Sequence, residues 1–189
     1  MNVTMIGILG ANGRMGRAIA NAAAEMGATI SGGIDLQGAV HGPYPDAAAL
    51  AGGSQVLVDF SAPAALAHHL ETALAAKVPL VIGTTGLQTE HHKLIDEAAA
   101  RGLPVLQSAN TSLGVNLLRH LVKEAAARLG TDWDIEIVEM HHRHKVDAPS
   151  GTALLLAASA AEGRGSTIQE LSRFNRIGHC NDKPPRSEA

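Results

Sequence analysis

The sequence predicts an α/β fold: a doubly wound parallel sheet, followed by a partial α+β unit. Three observations carry this. Short apolar, partly β-branched runs alternate with Ala-rich helical stretches over roughly the first 110 residues, the pattern of a parallel sheet covered by helices on both faces. A glycine-rich turn joins the first run directly to the first helix. Beyond Thr111 the alternation gives way to one long helix, one alternating run and a second apolar helix. The boundary is therefore placed at Thr111, dividing the chain into 1–111 and 112–189.

In order, Thr4 to Leu9 reads as the first strand, and Arg17 to Met26 as the first helix, ended by Gly27. Strands are predicted over Thr29 to Ile34, Val56 to Phe60, Leu80 to Ile82 and Val105 to Gln107. Helices are predicted over Pro63 to Ala76, with Ser61 as a cap, and over Glu90 to Ala100, with Thr89 as a cap. Leu113 to Leu129, capped by Ser112 and ended by Gly130, is the longest helical pattern. Asp134 to Met140 alternates apolar Ile135, Ile137 and Met140 with Glu136 and Glu139, and reads as a further strand. After Glu162 the chain turns polar and loses any clear period.

Composition narrows the class. With 46% hydrophobic and 17% charged residues over 189 positions, the chain has enough apolar material to build a core. A formal charge of -3 speaks against a general nucleic-acid or anionic-membrane binder, so any anion site must be built locally. No apolar run approaches a membrane span, and the opening residues lack the basic start of a signal peptide. The one cysteine, Cys180, suits a reducing compartment, and a cytoplasmic location is expected.

The turn Gly10-Ala11-Asn12-Gly13-Arg14-Met15-Gly16 is a spacing variant of the dinucleotide fingerprint. Glycines there permit positive φ and bring backbone N-H groups up to a pyrophosphate at the positive end of a helix dipole. The first unit is on this ground a Rossmann-type domain, although a ligand-free strand-to-helix turn would read the same. Asp35, just after the second strand, stands where an acidic residue accepts hydrogen bonds from the adenosine ribose; a solvated turn aspartate is the alternative. No Lys or Arg lies between Arg17 and Lys77, so a 2'-phosphate clamp is missing there and NADH is preferred over NADPH, with Arg14 still able to neutralise the phosphate. Gly83-Thr84-Thr85-Gly86 and Ser108-Ala109-Asn110-Thr111-Ser112 follow strands at their carboxyl ends, and both are expected to touch the cofactor.

The densest set of chemical groups is Glu139-Met140-His141-His142-Arg143-His144-Lys145-Val146-Asp147-Ala148-Pro149-Ser150-Gly151-Thr152. Pro149 suits a first helical turn, which leaves the N-H groups of Ser150, Gly151 and Thr152 open to a carboxylate. The arrangement suits a small anionic substrate, with charge-assisted bonds from Lys145 or a histidine supplying most of the affinity. Against it stand a solvated basic turn, a metal site on His141, His142 and His144, and a nucleic-acid patch. Common zinc spacings are absent, and there are almost no aromatics to stack bases, so neither metal nor nucleic acid is expected. The pairs His68-His69 and His91-His92 fall on predicted helices, facing solvent.

At these residues the sequence resembles the dihydrodipicolinate (4-hydroxy-tetrahydrodipicolinate) reductase family of lysine and diaminopimelate biosynthesis. The likeness runs through Gly10 to Arg17, Val58-Asp59-Phe60-Ser61, Gly83 to Gly86, Asn110 to Asn116 and, most specifically, Glu139 to Thr152. It implies NAD(P)H-dependent reduction of an unsaturated dicarboxylate ring, with His141 as acid-base residue and Lys145 as proton donor. It further implies that His142, Gly151 and Thr152 hold substrate carboxylates, and that the protein is a homotetramer. Members continue past the point where this chain stops, with strands that complete the second domain, and Asn181 to Ala189 departs from that pattern. The second domain is therefore expected to be truncated, with the Asp134 to Met140 edge unpaired. A truncated or non-catalytic dinucleotide-binding protein is the rival reading, and a Rossmann oxidoreductase acting on another substrate ranks behind it.

Overall fold

A computed structural model describes residues 3–108, 110–143, 145 and 148–173. It divides into two compact units, Met1–Ala109 and Asn110–Ala189. Ala109, His144, Cys180 and the departing stretch Asn181 to Ala189 lie outside the described residues.

In the first unit the strands are β1 (Met5–Leu9), β2 (Thr29–Asp35), β3 (Gly38–His41), β4 (Val56–Asp59), β5 (Leu80–Ile82) and β6 (Val105–Gln107). They form one sheet in the order β3-β2-β1-β4-β5-β6. The pairings β2-β1-β4-β5-β6 are parallel, as the alternation predicts, but β3 pairs antiparallel with β2. The sheet is thus mixed, because Gly38 at φ 100° lets the chain reverse immediately after Asp35 and form a hairpin instead of crossing over. Gly38 to His41 has too few apolar residues to stand out as a buried strand, which is why it escapes a periodicity reading.

Four helices accompany this sheet: α1 (Arg14–Glu25), α2 (Ala47–Gly52), α3 (Leu66–Ala76) and α4 (Thr89–Ala100). The core is aliphatic. Leu50, Leu57, Leu66, Leu80 and Ile82 are fully buried, and Leu9, Leu70, Ile95 and Leu103 pack with them. Each such side chain removed from water contributes about 1.5–3 kcal/mol.

Two capping expectations change, and one cap is new. Asp46, not foreseen, caps α2 by accepting from the Ala49 N-H at 2.8 Å. Gln88 rather than Thr89 caps α4, with His91 Nδ1 accepting the Gln88 N-H at 2.9 Å. Ser61 does not cap: Pro63–Ala65 forms a short 3₁₀ turn before α3, and Ser61 serves Asp59 instead.

Asp59, at the carboxyl end of β4, is a fully buried carboxylate. Its Oδ1 accepts from the Ser61 N-H at 2.9 Å and from Thr84 Oγ1 at 3.2 Å, and its Oδ2 lies 2.7 Å from His69 Nδ1. His69 is therefore not a solvent-facing residue. Adjacent helical positions point about 100° apart, so when His68 faces water His69 turns inward. Burial pushes the Asp59 carboxyl up, but the hydrogen bond and charge of His69 and the two bonds from Ser61 outweigh it and hold it below the usual aspartate value.

The second unit contains α5 (Leu113–Leu129), α6 (Gly151–Gly163) and α7 (Ile168–Leu171). α5 and α6 approach closely at Gly163, where a Cβ would lie 2.3 Å from the Lys123 carbonyl oxygen, and Arg119 Nε donates to Ser159 Oγ at 3.3 Å. A Lys123–Glu162 ion pair sits beside that contact. The strand expected over Asp134 to Met140 does not form: these residues carry no regular element. An extended segment becomes a strand only when a neighbour accepts and donates its backbone bonds, and no described segment pairs with this one. Ile135, Ile137, Val138 and Met140 are all exposed.

Because the Asp59 carboxyl is held below its unfolded value, the stability it contributes is complete above the unfolded aspartate pKa of about 4 and is lost below it, as pH falls through the lowered folded value. Asp59→Ala should lower the unfolding free energy at neutral pH by about 3 kcal/mol and flatten the acid loss of stability, measured by urea unfolding across the acid range.

Candidate active site

At the ligand edge of the first unit, β1 and β4 lie side by side while the chain runs outward in opposite directions from them, which is the switch point where open α/β sheets bind ligands. The glycine turn sits there. Gly10 has φ 83°, and a Cβ on it would lie 2.6 Å from the Phe60 carbonyl oxygen at the end of β4. A Cβ on Gly16 would lie 2.3 Å from the Gly10 oxygen and 2.7 Å from Ala11 Cα, so the start of α1 can press against the turn only without a side chain.

The amides of this turn divide into two sets. Gly10 and Ala11 donate to the Ile34 oxygen at 2.9 and 3.1 Å, Asn12 to Asp35 Oδ2 at 2.8 Å and Gly13 to the Gly10 oxygen at 3.1 Å. These four N-H groups build the turn. Gly13 caps α1 without a side-chain bond, and the first-turn N-H groups of Arg14, Met15 and Gly16 have no acceptor among the described residues. They are the amides left to face an anion at the dipole's positive end. Asp35 does double duty: besides Asn12, it accepts from the Leu36 N-H at 2.8 Å, and its carboxylate retains lone pairs for a further donor. The cradle, the open amides and the acidic residue after β2 fit a dinucleotide.

The Gly83 to Gly86 turn lies beside it in the sheet. Gly83 donates to the Asp59 oxygen at 2.9 Å, and its missing side chain admits the Phe60 ring, which a Cβ would meet at 2.1 Å. Thr84 is turned inward onto Asp59, whereas Thr85 and Gly86 are exposed. Of the two threonines, only Thr85 offers its side chain to solvent.

Asn110, Thr111 and Ser112 fall in the second unit, ahead of α5. Asn110 Oδ1 accepts from the Ser112 N-H at 2.8 Å, and Asn116 Nδ2 donates to the Asn110 oxygen at 3.0 Å. Ser112 caps α5 as expected, through the Val115 N-H at 3.4 Å. Asn110 Nδ2 reaches Thr152 Oγ1 at 3.5 Å, bringing a residue expected at the cofactor next to one expected at the substrate.

Around the start of α6, Ser150 is the N-cap, accepting from the Ala153 N-H at 3.1 Å. The Ser150 N-H is not open to a ligand, since it donates to Glu139 Oε1 at 2.9 Å. The N-H groups of Gly151 and Thr152 have no acceptor among the described residues and remain available. The other oxygen of Glu139 lies 2.8 Å from His141 Nε2. Bonds from His141 and from Ser150 pull the Glu139 carboxyl down to about 2. The Lys145 N-H donates to the His142 oxygen at 3.1 Å. To His141, His142, Lys145, Gly151 and Thr152, which the sequence singles out, the structure adds Glu139. The available signal was its spacing, since in an extended segment residues 139 and 141 share a face.

A mostly parallel sheet with a glycine cradle at its switch point, together with a second unit of histidine, lysine and open helix amides, defines a dinucleotide-binding oxidoreductase of the Rossmann class. The comparisons agree on which one. The dihydrodipicolinate reductase N-terminus matches residues 4–111 and the dihydrodipicolinate reductase C-terminus residues 114–183. The 4-hydroxy-tetrahydrodipicolinate reductase of Zymomonas mobilis is 56% identical over 181 residues, covering 96% of this chain and 70% of its own. That of Parvibaculum lavamentivorans is 44% identical, covering 90% and 69%. Among solved structures, a dipicolinate-bound dihydrodipicolinate reductase from Paenisporosarcina sp. TG-14 superimposes with a TM-score of 0.72 at 26% identity, over 97% of this chain and 72% of that one. The chain belongs to the dihydrodipicolinate reductase family, whose members use a pyridine nucleotide to reduce a small dicarboxylate in lysine and diaminopimelate biosynthesis. No described helix is long and apolar enough to cross a membrane.

Gly16→Ala should abolish dinucleotide binding, because the new methyl meets backbone rather than a yielding side chain. Fluorescence titration with NADH, beside a thermal melt, would check this; wild-type affinity would show that the cradle can open.

Proposed function

We propose that this chain reduces 4-hydroxy-tetrahydrodipicolinate to tetrahydrodipicolinate with NADH or NADPH, using His141 as acid-base residue and Lys145 as proton donor. The observation that carries the reading is the start of α6, where one carboxylate, Glu139, ties His141 to the helix whose next two N-H groups are open. His142, Gly151 and Thr152 would hold the substrate carboxylates, with Asn110 steadying Thr152. Two amides at a helix start contribute modestly, about 0.3–1 kcal/mol from the dipole, so the cations of the 141–145 segment are needed for affinity.

The nicotinamide, when bound, supplies the hydride. The protein's part is to meet the negative charge that hydride delivery builds on the ring, through a nearby cation, and then to place a proton, from Lys145 with His141 as the acid-base partner. On the cofactor side, the open N-H groups of Arg14 and Met15 would take the pyrophosphate, and Gly10 to Gly13 would shape the turn beneath it. Gly83, Thr84, Thr85, Ala109, Asn110, Thr111 and Ser112 complete the set of cofactor contacts in this reading. Within it Thr84 supports the turn, and Thr85 is the threonine exposed to a ligand.

Asp35 favours NADH: its carboxylate would accept from a ribose hydroxyl and repel a 2'-phosphate, and the exposed Leu36 beside it supplies no counter-charge. Arg14, exposed at the first position of α1, keeps NADPH usable. The family resemblance carries a homotetramer with it, and the exposed Val138 and Met140 in the second unit support assembly there.

Substrate-dependent NAD(P)H oxidation, with the substrate generated enzymatically in the assay, tests the whole reading. Lys145→Ala should lower turnover by about 10²-fold or more while leaving the dinucleotide Kd unchanged, and near-normal turnover would remove Lys145 from the chemistry. Direct titration should find NADH bound more tightly than NADPH by no more than about tenfold, or 1.4 kcal/mol; tighter NADPH binding would reverse the assignment of Asp35.

A further inference from the structure

We infer that Glu139 is a positioning residue that grips the His141 imidazole at Nε2 and so makes Nδ1 the nitrogen through which that ring exchanges its proton. The inference rests on the acid-base role proposed above for His141.

Glu139 Oε2 lies 2.8 Å from His141 Nε2, and an ionised carboxylate has lone pairs but no hydrogen to give. Nε2 must therefore carry the proton in this pair. A neutral imidazole has one N-H, which leaves Nδ1 with the free lone pair. When the ring is cationic both nitrogens carry hydrogen, and the proton free to leave is again the one on Nδ1, because the other is held by Glu139. The carboxylate remains ionised across the working range, since the bonds it receives from His141 and Ser150 hold its carboxyl near 2.

A second bond distinguishes this pair from a wandering surface contact. Glu139 Oε1 accepts from the Ser150 N-H at 2.9 Å, and Ser150 is the N-cap of α6. The imidazole is thereby referenced, through one rigid carboxylate, to the same helix start whose Gly151 and Thr152 amides are open. The His141 side chain, at 37% exposure, has one edge against Glu139 and remains partly accessible. Both oxygens of Glu139 are committed to holding, so this residue is not itself placed to donate or accept the reacting proton.

Glu139→Gln separates positioning from bulk. Its single carbonyl can still accept from Ser150, but the amide then turns an N-H toward His141 Nε2, which drives the ring proton to Nδ1. The side chain keeps its size while the tautomer inverts, the effect that an Asp→Asn change has in a Ser-His-Asp triad. Glu139→Asp keeps the charge and shortens the reach.

The test combines a tautomer measurement with kinetics on the full chain. In ¹⁵N-histidine-labelled wild type above the imidazole titration range, long-range ¹H–¹⁵N correlation should show His141, identified by the signal lost in His141→Asn, as the Nε2-H tautomer. Glu139→Gln should show Nδ1-H and lose about 10- to 100-fold in kcat, part of what general acid-base catalysis supplies, with the NADH KM within about twofold of wild type. Glu139→Asp should return the Nε2-H tautomer and most of the kcat. Turnover by a wild-type chain whose His141 is the Nδ1-H tautomer, or wild-type kcat in Glu139→Gln, overturns this inference alone. A chain that binds dinucleotide yet never oxidises it with substrate present overturns the acid-base role of His141, and the inference with it. Should Glu139→Gln fail to fold by circular dichroism, the wild-type tautomer and the Glu139→Asp kinetics still decide the matter.

Discussion

A buried negative charge organises the ligand edge of the first unit. Asp59 sits at the end of a central strand with no exposure to water, a placement that costs several kcal/mol unless every lone pair is answered. The answers come from three directions: Ser61 in the turn after β4, His69 from α3 and Thr84 from the turn after β5. Satisfying one carboxylate therefore sets the mutual position of two turns and a helix. Phe60, between Asp59 and Ser61, then has a defined place, over Gly83 on one side and against Gly10 on the other. The glycine turn can approach the end of β4 as closely as it does because that end is held.

The second unit uses a carboxylate in the same way with less burial. Glu139 joins a segment without regular structure to the N-cap of α6, and in doing so orients His141. Such a link is needed there because residues 134–142 carry no regular element that would hold them in place. A side chain on a paired strand is aimed by its ladder, whereas one on an irregular segment must be aimed by its own hydrogen bonds. In both units, then, the groups proposed for chemistry are displayed by turns, and acidic side chains that receive backbone N-H groups keep the turns in shape.

Much of this was visible in the sequence, and for physical reasons. The parallel strands were legible because each is a short apolar run, and runs buried on both faces admit few polar residues. Gly10 and Gly16 were legible because close backbone contact excludes every other side chain. Ser112 announced itself as a cap by standing between a loop and a long periodic stretch. By contrast, β3 is too polar to register, and its antiparallel pairing follows from a reversal at Gly38 that apolar periodicity does not record. Asp134 to Met140 has the alternation of a strand, but alternation reports only which faces differ, not whether a partner is present to pair with.

The sequence by itself determined the sheet of the first unit, the location of the glycine cradle and, through the segment from Glu139 to Thr152, the family. Those are properties of local pattern: periodicity, turn chemistry and a dense run of functional groups. Tertiary structure decided which groups are spent on holding the protein and which remain for a ligand. Thr84 and His69 went to Asp59, the Ser150 N-H went to Glu139, and the amides of Gly10 to Gly13 went to the turn, leaving those of Arg14, Met15, Gly151 and Thr152. That division follows from hydrogen-bond satisfaction between residues as far apart as Asp59 and Thr84, a pairing that local spacing does not encode.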